Sequence, residues 1–264
     1  MTNLNKTENV KHQYSSDNNL SARINLHAKH STNKKGFYPW LFEYYQFSNN
    51  DKILELGCGN GMQWKNAASP LPPDSSLILS DFSNGMLEAA KKNLSPTGDN
   101  ISFQQIDIQT IPFASQTFNT VIANHMLYHV PDLDKALSEV HRVLKKDGTF
   151  YAATGGAVGI AQYVHHVLKK FDPSSVGALE EIPFNSENGG EILARHFSSV
   201  KRYDYVDALA ITETNDLIAW LESAMFIDFN RKFDGLYDYF EQIRLTEGAI
   251  NIPKGSCLFI CTTG

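Results

Sequence analysis

The stretch Ile53-Leu-Glu-Leu-Gly-Cys-Gly-Asn-Gly-Met62 constrains this chain more than any other. A short apolar run that stops at glycines reads as a buried strand. Gly57, Gly59 and Gly61 let the backbone turn sharply and let a ligand approach main-chain N–H groups without a Cβ in the way. A helix is expected from Met62 to Ala68, so the stretch opens a strand–turn–helix unit. The same rhythm continues downstream. Leu77–Ser80, Ile101–Ile106, Thr120–Ala123 (led in by Phe118) and Thr149–Ala153 read as further strands. Between them a helix is expected over Asn84–Leu94, capped by Ser83 and supported by Glu88 with Lys91 and Lys92. Another is expected over 132–146, where Leu133, Ala136, Leu137, Val140, Val143 and Leu144 form one stripe that Gly148 ends. Alternation of this kind predicts right-handed βαβ units and a doubly wound, mostly parallel sheet of the α/β class.

The flanks are less regular. Residues 1–20 read as a polar tail, and 21–46 as two helical pieces broken near Ser31–Gly36. The aromatic run Phe37–Tyr45 suits core packing against a sheet or the wall of an apolar pocket. After 154, helices are expected near 158–171, 187–196, 213–226 and 232–246, with strands near 200–209 and 256–262. The division that follows is an N-terminal tail with lid helices (1–46) and one main domain (47–264), with a cap segment at about 155–196.

Composition narrows the partners. With 264 residues, 42% of them hydrophobic, the chain has ample material for a core, which excludes disorder as its main state. The net charge of −6 argues against a broad nucleic-acid footprint. Cys58, Cys257 and Cys261 cannot frame a disulfide scaffold and suit a reducing cytoplasm. The polar N-terminus has no apolar leader core, and no run approaches the ~18 apolar residues of a membrane span.

Three acids are placed with the glycine loop. Glu55 precedes the first glycine; Asp81 and Asp107 close the second and third strands. Open α/β sheets bind ligands at that end, and a carboxylate after the second strand is placed to accept from ribose hydroxyls. Met62 stands where the dinucleotide pattern needs its third glycine, and Glu55 repels a pyrophosphate. A nucleoside ligand with cationic groups and no phosphate fits better.

Glu55-Leu-Gly-Cys-Gly-Asn-Gly61, Leu79-Ser-Asp-Phe-Ser-Asn-Gly-Met-Leu87, Gln105-Ile-Asp-Ile108 with Ile111-Pro-Phe113, Val121-Ile-Ala-Asn-His-Met-Leu-Tyr-His-Val-Pro-Asp132 and Leu144-Lys-Lys-Asp-Gly-Thr-Phe150 closely resemble the successive motifs of class I methyltransferases that use S-adenosyl-L-methionine (SAM). The resemblance covers roughly residues 50–155. It implies a Rossmann-like seven-stranded sheet in the order 3-2-1-4-5-7-6, strand 7 antiparallel, with residues 200–209 and 256–262 as strands 6 and 7. It also implies that Gly57 and Gly59 contact the methionine part of SAM, with Glu55 and Cys58 also in the cofactor site. Asp81 would then hold the ribose, Phe82 and Met86 would pack near the adenine, Asp107 and Ile108 would hold its edge, and Asn124 would line the site. Asn119 departs from the Phe-Asp pair that often precedes strand 4, at a position read as structural.

Methyl transfer from a sulfonium is an in-line displacement, so alignment and exclusion of water carry much of the task. A general base is needed only for an acceptor that keeps its proton. His125 and His129, after strand 4, are the candidates, with Tyr128 beside them; shaping the pocket or capping the next helix is the alternative. His165 on a wall helix is a candidate substrate contact, and Tyr14 and Arg23 are candidate lid residues, Arg23 suited to the SAM carboxylate. His27, His30, His165 and His166 lack ligand spacing, so no metal is expected. Cys257 and Cys261 share one face of a strand as core thiols, unlike the cysteine trio of an arsenite methyltransferase. The expected function is methyl transfer from SAM, leaving S-adenosyl-L-homocysteine, to the N, O or C atom of a small molecule in cofactor or secondary-metabolite synthesis. Nucleic-acid or protein methylation, or a non-catalytic SAM-binding module, are the alternatives. The oligomeric state is open.

Overall fold

The computed structural model describes residues 18–65, 71–95, 100–156, 159–171, 182–223 and 235–264. Seven strands form one sheet: β1 (Lys52–Leu56), β2 (Ser76–Asp81), β3 (Ile101–Gln105), β4 (Phe118–Asn124), β5 (Leu144–Gly155), β6 (Ser199–Ile211) and β7 (Ile250–Thr262). Their order is β3-β2-β1-β4-β5-β7-β6. The first five run parallel, and β7 is antiparallel to both β5 and β6. This is the doubly wound arrangement that the motifs implied.

The helices are α1 (Asn18–His30), α2 (Phe37–Phe42), α3 (Met62–Lys65), α4 (Asn84–Asn93), α5 (Leu133–Val143), α6 (Ile160–Phe171), α7 (Gly189–Leu193), α8 (Thr214–Ser223) and α9 (Leu236–Glu247). Local chemistry starts two of them. Ser83 accepts from the Met86 N–H at the head of α4, and Asp132 accepts from the Lys135 N–H at the head of α5.

The pleat sends alternate strand residues to two separate cores. Leu54 and Leu56 pack with α5 on one face; Ile53 packs with α2, α3 and α4 on the other. Along β7, Cys257, Phe259 and Cys261 face the first core and Leu258 the second. Phe184, Leu193 and Phe197 also pack into the first core, so the end of the 155–196 stretch lies against the sheet.

A third cluster sits apart. Leu26 of α1, Val164 and Leu168 of α6, Leu209 and Ile211 of β6, Trp220 and Leu221 of α8, Phe240 of α9 and Ile250 and Ile252 of β7 bury one another. Its strand residues lie where β6 and β7 run on past the end of β5, which stops at Gly155 opposite Ser256. That extension is a two-stranded ribbon with helices packed on it, continuing beyond the C-terminal end of β5.

Two boundaries differ from the sequence reading. The helix expected to reach 146 ends at Val143, because Leu144 pairs with Phe118 as a strand residue. Lys145–Gly148 then loop out before Thr149 pairs with Thr120; Asp147 takes a left-handed φ of 64°, and a Cβ on Gly148 would lie 2.8 Å from the Lys145 carbonyl. The final strand begins at Ile250, six residues before the expected 256. Pro253 is tolerated in it because it stands opposite Ala208 beyond the end of β5, where its missing N–H interrupts no β5–β7 bond.

Candidate functional site

The C-terminal ends of β1 to β4 bring the motif residues together. Gly57, Gly59 and Gly61 all take positive φ (72°, 55° and 75°), so the turn after β1 depends on residues without a Cβ. At Gly57 a Cβ would also lie 2.8 Å from the Met126 side chain. Asp81 fixes this loop from the end of β2. Its Oδ2 accepts from the Gly59 N–H at 2.9 Å and its Oδ1 from the Ser83 N–H at 2.8 Å. A carboxylate has about four acceptor positions, so these two bonds leave capacity for ligand hydroxyls. Burial pushes the Asp81 carboxyl up, against the donors from Ser83, Gly59 and Phe82.

Glu55 lies beneath the loop and is only 2% exposed. The Trp64 indole of α3 donates to its Oε2. Burial raises its pKa to about 7, against that hydrogen bond, with a further push from Asp81. Beside it Asn124 donates through Nδ2 to the Tyr45 hydroxyl and to Gln63 Oε1, both at 2.8 Å. The Asn124 Oδ1 is buried with no partner. Cys58 is buried, and its thiol is pushed well up by burial and by Glu55 and Asp81. Asp107 is occupied by its own turn: the Gln109 N–H donates to its Oδ1 at 2.9 Å. Phe82 is half-buried, whereas Met86 and Ile108 are buried.

His125 follows β4 with a left-handed φ of 52°, an uncommon conformation for a non-glycine residue. Its ring packs 5.0 Å from Phe37. Burial and then the Lys254 charge lower its pKa to about 4, so it is neutral at pH 7. His129 sits in a single 3-10 turn (Leu127–His129), its ring edge-on to Tyr128 at 4.5 Å.

The remaining candidates are spread out. Tyr14 lies outside the described residues. Arg23 donates to the Ser223 carbonyl at 2.6 Å, at the C-terminal end of α8. His165 is buried in α6 with Nε2 unpartnered, and burial followed by Lys169 lowers its pKa. Among the described residues no three His, Cys, Asp or Glu side chains group as a metal site requires.

Sequence reading missed Tyr45, Gln63 and Trp64, which partner Asn124 and Glu55. It also missed Asp207 and Lys254 on the ribbon. The Asp207 side chain is fully buried and accepts from Lys254 Nζ at 2.6 Å, Ser31 Oγ at 2.8 Å, and the N–H groups of Asn33 at 3.0 Å and Ala208 at 2.8 Å. Burial alone would push its carboxyl up, but the donors led by Lys254 outweigh that and hold it low. Aspartate and lysine stand on two antiparallel strands that two helices separate in the chain, and only the register makes them neighbours.

A family profile described as a methyltransferase domain matches residues 47–172. The methyltransferase YrhH of Bacillus subtilis (strain 168) is 31% identical over 130 residues, 49% of this chain and 72% of that protein. The chain belongs to the class I SAM-dependent methyltransferases. A demethylmenaquinone methyltransferase of Symbiobacterium thermophilum is 35% identical over 106 residues, 39% of this chain and 42% of that enzyme, so this match spans less than half of the relative. The YcgJ protein of Bacillus subtilis shares the fold, with a TM-score of 0.61 at 18% identity over 86% of this chain and 97% of that one.

The residues present suit the family's cofactor. SAM brings an ammonium and ribose hydroxyls and no phosphate. The floor offers acceptors: the carboxylates of Glu55 and Asp81 and the unpartnered Asn124 Oδ1.

Proposed function

We propose that this methyltransferase acts on a small-molecule acceptor, held between the glycine-loop floor and the cap over the strand ends. One observation carries the reading. On α1, Leu20 stands over the glycine loop, such that a Cβ on Gly59 would meet its Cδ2 at 3.2 Å. A floor covered this closely by the chain's own helix suits a compact acceptor better than an extended nucleic acid. The acidic balance supports that choice. So does a relative named for demethylmenaquinone, itself a small molecule.

In this reading SAM supplies a methyl group already activated on a sulfonium. The chain binds, orients and excludes water. Asp81 accepts from ribose hydroxyls while it keeps Gly59 in place. Glu55 and Asn124 Oδ1 accept from the ammonium; a cation beside Glu55 favours its charged form. Phe82, Asp107 and Ile108 border the adenine. Neutral His125 presents an acceptor nitrogen at the acceptor side. A pKa near 4 makes it a hydrogen-bond partner rather than a strong base.

The test pairs binding with turnover. Thermal melts with SAM, S-adenosylhomocysteine and NAD should show stabilisation by the first two alone. Labelled methyl should then pass to components of a small-metabolite extract. A shift with NAD only, or label found only in protein or nucleic acid, overturns the reading.

A further inference from the structure

Contacts link His27 and Lys254 of the cap to His125 at the strand-4 end. Helix α1 carries Leu20 over the glycine loop, and His27 lies seven residues further along the same helix face. That displacement is roughly 10 Å at 1.5 Å per residue. The Nδ1 of His27 is buried without any hydrogen-bond partner. A continuous set of contacts ties this helix to His125. The Ser31 N–H donates to the His27 carbonyl at 3.0 Å, and Ser31 Oγ donates to Asp207. Asp207 pairs with Lys254, whose Nζ lies 5.7 Å from the Tyr205 ring. Tyr205 packs on Phe37 at 5.3 Å, and Phe37 packs on His125.

We propose that His27, His125 and Lys254 form an acceptor-anchoring site for a planar compound that presents a hydroxyl group. The assignment rests on the small-molecule reading given above. Its chemistry follows from what each group offers. With its proton on Nε2, the neutral His27 imidazole leaves the unpartnered Nδ1 to take a donor, O–H or N–H. Lysine has three N–H donors; Asp207 at 2.6 Å and Ser31 Oγ at 3.1 Å accept two, leaving a third for an oxygen. The same ammonium repels a cationic amine. Only a group that both donates and accepts and carries no positive charge satisfies both sides, and a hydroxyl does. Half-buried Phe37, backed by the buried Tyr205, supplies a flat apolar wall for the ring that bears it. The fall of the His27 pKa to about 3, through burial and then Lys254, keeps that imidazole neutral and accepting.

The test uses para-cresol as probe, with para-methylanisole and para-methylbenzylamine as controls, titrated into the S-adenosylhomocysteine-loaded protein. The phenol should bind about tenfold more tightly than either control, the cost of leaving a buried acceptor unpaired. His27→Leu removes a nitrogen that has no partner, so the variant folds, and it should lose the preference. His27→Asn returns an acceptor near the Nδ1 position and should restore it. Affinity for S-adenosylhomocysteine should stay the same throughout. Equal binding of the three probes, no binding of the phenol, or a preference that survives in His27→Leu overturns the proposal. Failure of the wild-type protein to bind S-adenosylhomocysteine instead strikes the methyltransferase reading, and this proposal falls with it.

Discussion

The floor and the cap of this molecule are held together over very different distances in sequence. In the floor, Asp81 reaches back 22 residues to Gly59 and forward two to Ser83, and Trp64 meets Glu55 nine residues away. In the cap, Arg23 meets Ser223 across 200 residues, His30 meets Asp216 across 186, and Asp207 meets Asn33 across 174. A floor made of βα turns is fixed once its own strands form. A cap made from the two ends of the chain forms only after the sheet has brought them together, and it is the part expected to open locally first.

Removing the Asp207 carboxylate gives the largest expected effect. Asp207→Ala strips the ionic partner from a mostly buried Lys254 and leaves the Asn33 N–H unpaired. Breaking such a pair costs about 3–5 kcal/mol. If the regions are separable, hydrogen exchange in α1 and α8 should accelerate by about two orders of magnitude while β1 and β4 keep their protection. Loss of protection across β1 and β4 as well would show that floor and cap open as one unit.

The floor has its own stress, of intermediate size. Glu55 has a pKa near 7 in the folded chain against an unfolded value of 4.5. The folded state therefore binds the extra proton between those values, and stability falls as pH rises from about 4.5 to 7. Full ionisation costs roughly 3 kcal/mol at pH 8 by linkage. Glu55→Gln keeps an acceptor for Trp64 and removes the charge. Its ligand-free stability should exceed wild type at pH 8 and lose that slope in urea titrations, while affinity for SAM falls. An unchanged slope between pH 5 and 8 would put the burial stress elsewhere than at Glu55.

These separations also explain what could be read from the sequence. The glycine turn and the places of Asp81 and Asp107 were legible because each is encoded within one strand–turn–helix unit, whereas the sheet order came only with the resemblance to the methyltransferase motifs. The cap was not. Its core combines Leu26 with Trp220 and Ile250, and no local pattern pairs residues so far apart. The stretch 155–196 was read as wall from its length alone; its helix α6 joins the cap cluster with α8 and α9, while Phe184, Leu193 and Phe197 at its end pack on the sheet. Tyr45 illustrates the middle case. Its aromatic run was visible, but the hydroxyl that receives Asn124 needed the fold.

Arg23 carries the smallest effect and asks which region it serves. Its sequence suggested a partner for the SAM carboxylate, yet its guanidinium donates to the last turn of α8, where cations also meet the negative end of a helix. A charge-assisted bond of this sort contributes about 1–2 kcal/mol. Arg23→Met keeps the length of the side chain and removes the donors. Exchange at the end of α8 should then rise about tenfold, with S-adenosylhomocysteine affinity within about twofold of wild type, if Arg23 is a cap clamp. A tenfold loss of that affinity with α8 unaffected would move Arg23 to the floor. The boundary between the two regions would then run through α1 itself, between Arg23 and His27.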